Sequence, residues 1–202
     1  MIKNVVFDIG NVLLSFDPRS YLVKKFDDEF KAHKVFDIIF KSNEWLMLDR
    51  GTISEKEAIS ILSKRHEEFS EEIKSSFDGW YDLLIPMEET IEVLQKLKEN
   101  KINIYYLSNF HHLAFEYVTE KNKFFNLFDG GIVSYKEKLL KPEKEIYLKL
   151  IDKYNLNPEE TLFIDDTEIN LKGALAVGMN TVHFKDPQGL VEKLSIHKIK
   201  IS

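Results

Sequence analysis

The chain has 202 residues, 44% of them hydrophobic, enough for one domain plus an insertion around a sizeable core. Its 34 acidic and 28 basic residues leave a net charge of −6, and the lysines are scattered, which opposes nucleic-acid binding because affinity there rests on neutralising phosphates. With no cysteine, no apolar run near the roughly 18 residues that span a bilayer, and no signal-peptide pattern in MIKNVVFDIG, the sequence excludes disulfides and thiolate chemistry, gives no sign of a membrane role, and leads to an expected cytoplasmic location. Residues 2–8 read as a short buried strand, apolar and β-branched, closed by Gly10. From Pro18 to about Tyr81 the spacing turns helical. Tyr21, Leu22 and Phe26 recur at helical intervals, Ser54 and Glu57 form a capping box, and Ser70 opens a further helix with Glu71 and Glu72 in its first turn. After Pro86 the pattern alternates. The spacing predicts a helix over 88–99, a strand over 102–107, a helix over 111–121, a strand over 131–134, and a helix to Tyr154 with Pro142 in its first turn. A strand over 161–165, a helix over 168–177 ended near Gly178, and a strand over 180–184 follow.

This order argues for an α/β fold with a parallel, doubly wound sheet. The sequence divides into a core of residues 1–15 and 86–202, with residues 16–85 inserted as a helical lid or cap. In such sheets ligands bind beyond the carboxyl ends of the strands. The residues there are Asp8, the Ser108-Asn109 pair, Lys141 in the loop after the strand at 131–134, and the Asp165-Asp166 pair. Each alone has an ordinary structural use, as turn residue, cap or solvated lysine. Their coincidence suits phosphoryl transfer. A carboxylate facing a phosphate dianion is repelled by about 4 kcal/mol per unit-charge pair at 4 Å and an effective dielectric of 20, so cations are required. Asp8 and Asp166 can hold a hard divalent cation, which fits Mg²⁺, and Lys141 adds positive charge. Ser108 and Asn109 can donate to phosphoryl oxygens, leaving Asp8 as a nucleophile that forms an aspartyl phosphate.

FDIGNVLLSFD, YLSNF, LLKPEKEIY and FIDDTEINLKGA resemble, in order and spacing, the four motifs of the haloacid dehalogenase-like hydrolase superfamily. The DIGNV start, the insertion with DRGTIS and the chain length look most like its small sugar-phosphate phosphatases, similar to α-D-glucose-1-phosphate phosphatase. The resemblance implies a Rossmann-like core with a helical cap after the first strand, and Asp8 as nucleophile and Mg²⁺ ligand. It implies further ligands in the Gly10 carbonyl and Asp166, a phosphoryl site of Ser108, Asn109 and Lys141, and Asp165 and Asn170 behind the ligands. One position departs from the superfamily's phosphatases: Gly10 stands where the general acid usually is. Either that role is vacant, which would favour sugar 1-phosphates over 6-phosphates, or Asp17 fills it from the start of the insertion; the vacant site is the expectation. Arg50 is a further candidate to face the substrate. The expected activity is Mg²⁺-dependent hydrolysis of a small phosphorylated metabolite by a monomer or homodimer. The alternatives are a phosphate-binding or regulatory module without catalysis and a 2-haloacid dehalogenase.

Overall fold

The computed structural model describes residues 1–201. β1 (Asn4–Phe7) leads into a tight turn and the two-residue β2 (Leu14–Ser15). Five helices follow: α1 (Pro18–Phe26), α2 (Glu29–Phe40), α3 (Asn43–Arg50), α4 (Glu55–Arg65) and α5 (Ser70–Ser76). The chain returns through β3 (Ile85–Pro86), which pairs antiparallel with β2 in the register Leu14 to Pro86 and Ser15 to Ile85. The remainder is α6 (Glu88–Glu99), β4 (Asn103–Ser108), α7 (His112–Lys121), β5 (Gly130–Val133), α8 (Ser134–Glu137), α9 (Lys144–Tyr154), β6 (Thr161–Asp165), α10 (Glu168–Leu175), β7 (Asn180–His183) and α11 (Pro187–Ile196).

The five long strands form one parallel sheet in the order β5-β4-β1-β6-β7. Both faces are covered, which explains why the inner strands β1 and β6 carry apolar runs instead of alternating. Val5, Phe7, Leu162 and Ile164 face one apolar cluster with Leu94, Leu97 and Leu194 of α6 and α11. Val6 and Phe163 face the other, with Ile146, Tyr147 and Leu150 of α9 and Ala174 of α10. The helical segment shares the first cluster through Leu22, Val35, Ile39, Leu48, Leu62 and Ile73. β1 is central, with chain order running outward to either side, so the crevice at its carboxyl end is the topological switch point where ligands bind.

The predicted α/β alternation and the Ser54–Glu57 capping box are present. The first strand is shorter than expected at both ends, Asn4–Phe7 in place of 2–8. Pro142 is not in a first helical turn: the Lys141–Pro142 peptide is cis, and α9 starts at Lys144. The β2–β3 pair and α11 are additions to the sequence reading. Among the described residues no helix is long and apolar enough to cross a membrane.

Candidate active site

Asp8 leaves β1 with its N–H donated to the Ile164 carbonyl at 2.9 Å, which extends the parallel pairing by one residue and fixes the side chain at the sheet edge. Three donors then converge on one carboxylate oxygen. Oδ1 accepts from the Ile9 N–H at 2.7 Å, from Ser108 Oγ at 2.6 Å and from Lys141 Nζ at 2.8 Å. Oδ2 takes no hydrogen bond among the described residues. Lys141 Nζ also donates to Asp165 Oδ2 at 2.6 Å. Asp165 is otherwise saturated, accepting the Thr167 N–H at 2.8 Å and the Asn170 amide on both oxygens at 3.1 Å. The Asn170 carbonyl in turn accepts the Tyr147 hydroxyl at 2.8 Å. Asn109 uses both ends of its amide on the Lys141 backbone, donating to its carbonyl at 3.0 Å and accepting its N–H at 2.8 Å. That side chain orients the loop that carries Lys141.

Burial pushes the Asp8 carboxyl up to about 7, with Lys141 opposing and Asp165 reinforcing the shift. Asp166 is raised by burial and by Asp165. Burial pulls Lys141 downward, but the adjoining carboxylates of Asp8 and Asp165 outweigh it and the ammonium is held above its ordinary range. Oxygens of Asp8, Asp165 and Asp166 all lie within 4.8 Å of one another. With three carboxylates and one ammonium ionised, the cluster carries two surplus negative charges. A hard divalent cation suits this all-oxygen set. Asp165 has its lone pairs occupied, so Asp8 and Asp166 are the carboxylates with capacity to spare.

Gly10 and Asn109 open onto a cavity of about 90 Å³. Its other walls include Phe16, Trp45, Asp49 and Trp80 from the helical segment, with His111 from the core. The His111 ring lies 5.1 Å from Trp45 and 4.9 Å from Trp80, and its Nε2 is buried without a partner. Burial pushes it down to about 3, so the imidazole is neutral. Burial raises the Asp49 carboxyl to about 7, against the pull of Lys141 and with the push of Asp8.

Asp17 and Arg50 lie elsewhere. Asp17 caps α1, its Oδ1 accepting the Ser20 N–H at 3.1 Å, and lines a separate cavity with Ser15, Tyr21 and Lys24. Arg50 donates to both oxygens of Glu143, one at 3.0 Å, and to the Lys138 carbonyl at 3.1 Å, tying α3 to the core. Sequence reasoning does not single out Asp49. The signal for Asp49 was only its place beside Arg50-Gly51 at a helix end.

The family model of the haloacid dehalogenase-like hydrolases matches residues 2–178, and the chain belongs to that family of hydrolases. It is 28% identical over 184 residues to the sesquiterpene phosphatase astK of Aspergillus oryzae (strain ATCC 42149 / RIB 40), covering 91% of this chain and 90% of that one. It is 22% identical over 191 residues to the (S)-2-haloacid dehalogenase 4A of Burkholderia cepacia, covering 90% and 82%. Among solved structures, a HAD family enzyme of Bacteroides thetaiotaomicron in complex with magnesium and inorganic phosphate superposes with a TM-score of 0.73 at 27% identity, covering 92% of this chain and 95% of that one.

Proposed function

We propose that the chain hydrolyses a small phosphomonoester in two steps through an aspartyl phosphate on Asp8, with Mg²⁺ held by Asp8, Asp166 and the Gly10 carbonyl. The observation that carries the reading is the Asp8 carboxylate itself: one oxygen is fixed by three donors and the other is left to react. The relative named as a phosphatase and the neighbour holding magnesium and phosphate support it. Bound Mg²⁺ would neutralise charge on the phosphoryl oxygens. Ser108 Oγ and Lys141 Nζ, both within reach of Asp8 Oδ1, then supply donors to the same group. Asn109 and Asp165 hold Lys141 in place from its backbone and its ammonium end.

The helical segment of residues 16–85 serves as the cover over this site. The cavity beneath it is far smaller than the roughly 300–1,000 Å³ of drug-sized ligand sites, so it suits a compact leaving group. Trp45 and Trp80 offer flat apolar walls suited to a sugar ring, and hexose phosphates are the first class to test. A sesquiterpene group would need the cover to open. The dehalogenase alternative is weaker, because dehalogenation has no use for a cation that offsets the surplus charge of Asp8, Asp165 and Asp166. A purely phosphate-binding module leaves the unpartnered Asp8 Oδ2 without a purpose.

The deciding assay follows phosphate release from p-nitrophenyl phosphate with Mg²⁺ and with EDTA, beside halide release from a 2-haloacid. Mg²⁺-dependent phosphate release that Asp8→Asn abolishes is expected. Near wild-type turnover by Asp8→Asn would exclude the covalent step.

A further inference from the structure

We propose that Asp49, carried by the helical segment, is the general acid that protonates the leaving group, in the role that Gly10 leaves without a carboxylate. This rests on the phosphatase reading. In-line displacement puts the leaving oxygen on the side of phosphorus opposite the attacking Asp8 oxygen. Asp8 lies at the sheet edge, so the far side belongs to the cavity that Gly10 and Asn109 share with the helical segment. Asp49 is the carboxylate lining that cavity. Its side chain makes no hydrogen bond among the described residues, whereas Asp17 is spent capping α1.

The backbone around Asp49 is fixed to the core. Its carbonyl accepts from Ser134 Oγ, Arg50 grips Glu143, and the Gly51 carbonyl accepts from Lys138 Nζ. A proton donor must be held in place through the transition state, and these ties do so. The charges that reach Asp49 are those of Lys141 and Asp8, so it stands within electrostatic range of the reacting groups. Burial favours its neutral, proton-bearing form. His111 shares the cavity but is a neutral imidazole, a far weaker acid than a carboxyl.

The step balances. A carboxylate oxygen of Asp8 bonds to phosphorus as the bond from phosphorus to the leaving oxygen breaks. That oxygen takes the Asp49 proton and departs as an alcohol. Water then attacks the aspartyl phosphate and gives one proton to the Asp49 carboxylate. The bond from phosphorus to Asp8 breaks, leaving hydrogen phosphate and the starting enzyme. A site so equipped does not depend on an activated anomeric oxygen, so the preference for sugar 1-phosphates that an empty Gly10 position would impose does not follow.

The test compares Asp49→Asn with wild type on p-nitrophenyl phosphate, whose leaving group departs unaided, and on glucose 6-phosphate and glycerol 3-phosphate, whose alkoxides do not. The alkyl kcat should fall by about 10²-fold or more while the aryl kcat falls only a few-fold. The ratio of the two rates is independent of how much of the variant is folded. Adding Gly10→Asp should restore alkyl turnover, since a Cβ at Gly10 meets nothing within 4 Å. Equal losses on aryl and alkyl substrates, or an unchanged alkyl rate, overturn the assignment. Wild type that releases phosphate from none of these substrates overturns the phosphatase reading itself.

Discussion

His111 and His112 are neighbours with opposite fates. His112 is exposed and pairs with Glu116 at 2.8 Å, as a helix-surface histidine should. His111 is buried against two tryptophans, with Nε2 unpartnered. Its ordinary value of 6.5 is pushed down to about 3 in the folded chain. Between those values the unfolded chain binds the proton and the folded chain does not, so stability falls as pH drops below 6.5. At pH 5 the loss from this one group is about 2 kcal/mol, at about 1.4 kcal/mol per pH unit. Thermal melts of His111→Phe should therefore show a shallower acid-side decline than wild type; parallel profiles would mean that His111 protonates in place. Residues such as Asp8, Ser108 and Asp165 were legible in the sequence because strand ends announce themselves by the break in an apolar run. Asp49 and His111 were not, because a helix end beside a cavity looks like any other helix end until the opposite wall is known.

At the scale of elements, α3 matters most. Ser42 starts it by accepting the Trp45 N–H, and Gly51 ends it in the left-handed region at φ 69°. A Cβ at Gly51 would lie 2.6 Å from the Tyr135 carbonyl oxygen. Gly51→Ala thus combines an unfavourable backbone conformation, about 1 kcal/mol, with a steric conflict that pushes α3 away from α8. A loss of roughly 2 kcal/mol or more by denaturant titration is expected, with alkyl phosphate turnover falling further than aryl turnover as Asp49 is displaced. Stability equal to wild type would show that α3 needs no such contact. The long strands and α6 stood out in the sequence by composition and period. β2 and β3, two residues each, are too short for any period to show. α11 did carry a signal, the Asp186 cap before Pro187, with Leu190 and Leu194 one turn apart, but it stands beyond the last motif that the chemistry drew attention to.

For the whole molecule, the fold gathers like charges at one edge, and binding a cation should be felt in global stability. A ligand at a hundred times its dissociation constant stabilises by about 2.7 kcal/mol. For a chain of this size that corresponds to a rise in melting temperature of roughly 5–10 °C. Mg²⁺ added to EDTA-treated protein should give such a rise, and Asp166→Asn should remove most of it; no rise in the wild type would argue against a cation site at Asp8 and Asp166. The sequence disclosed that a parallel sheet exists, because buried strands alternate with amphipathic helices. It did not disclose the order β5-β4-β1-β6-β7, since nothing local in β1 distinguishes the centre of the sheet from its edge.

The two crossings between the core and the helical segment run side by side as β2 and β3, and the Met87 N–H donates to the Leu13 carbonyl at 2.9 Å just beyond the pair. A cover hung on two separate threads could slide, twist and tilt. One hung on a zipped ribbon is expected to turn about that ribbon as a door on its pin, and Arg50 with Glu143 is the latch that such a turn has to release. The separation of α3 from α8 is then the distance to measure for how far the door stands open.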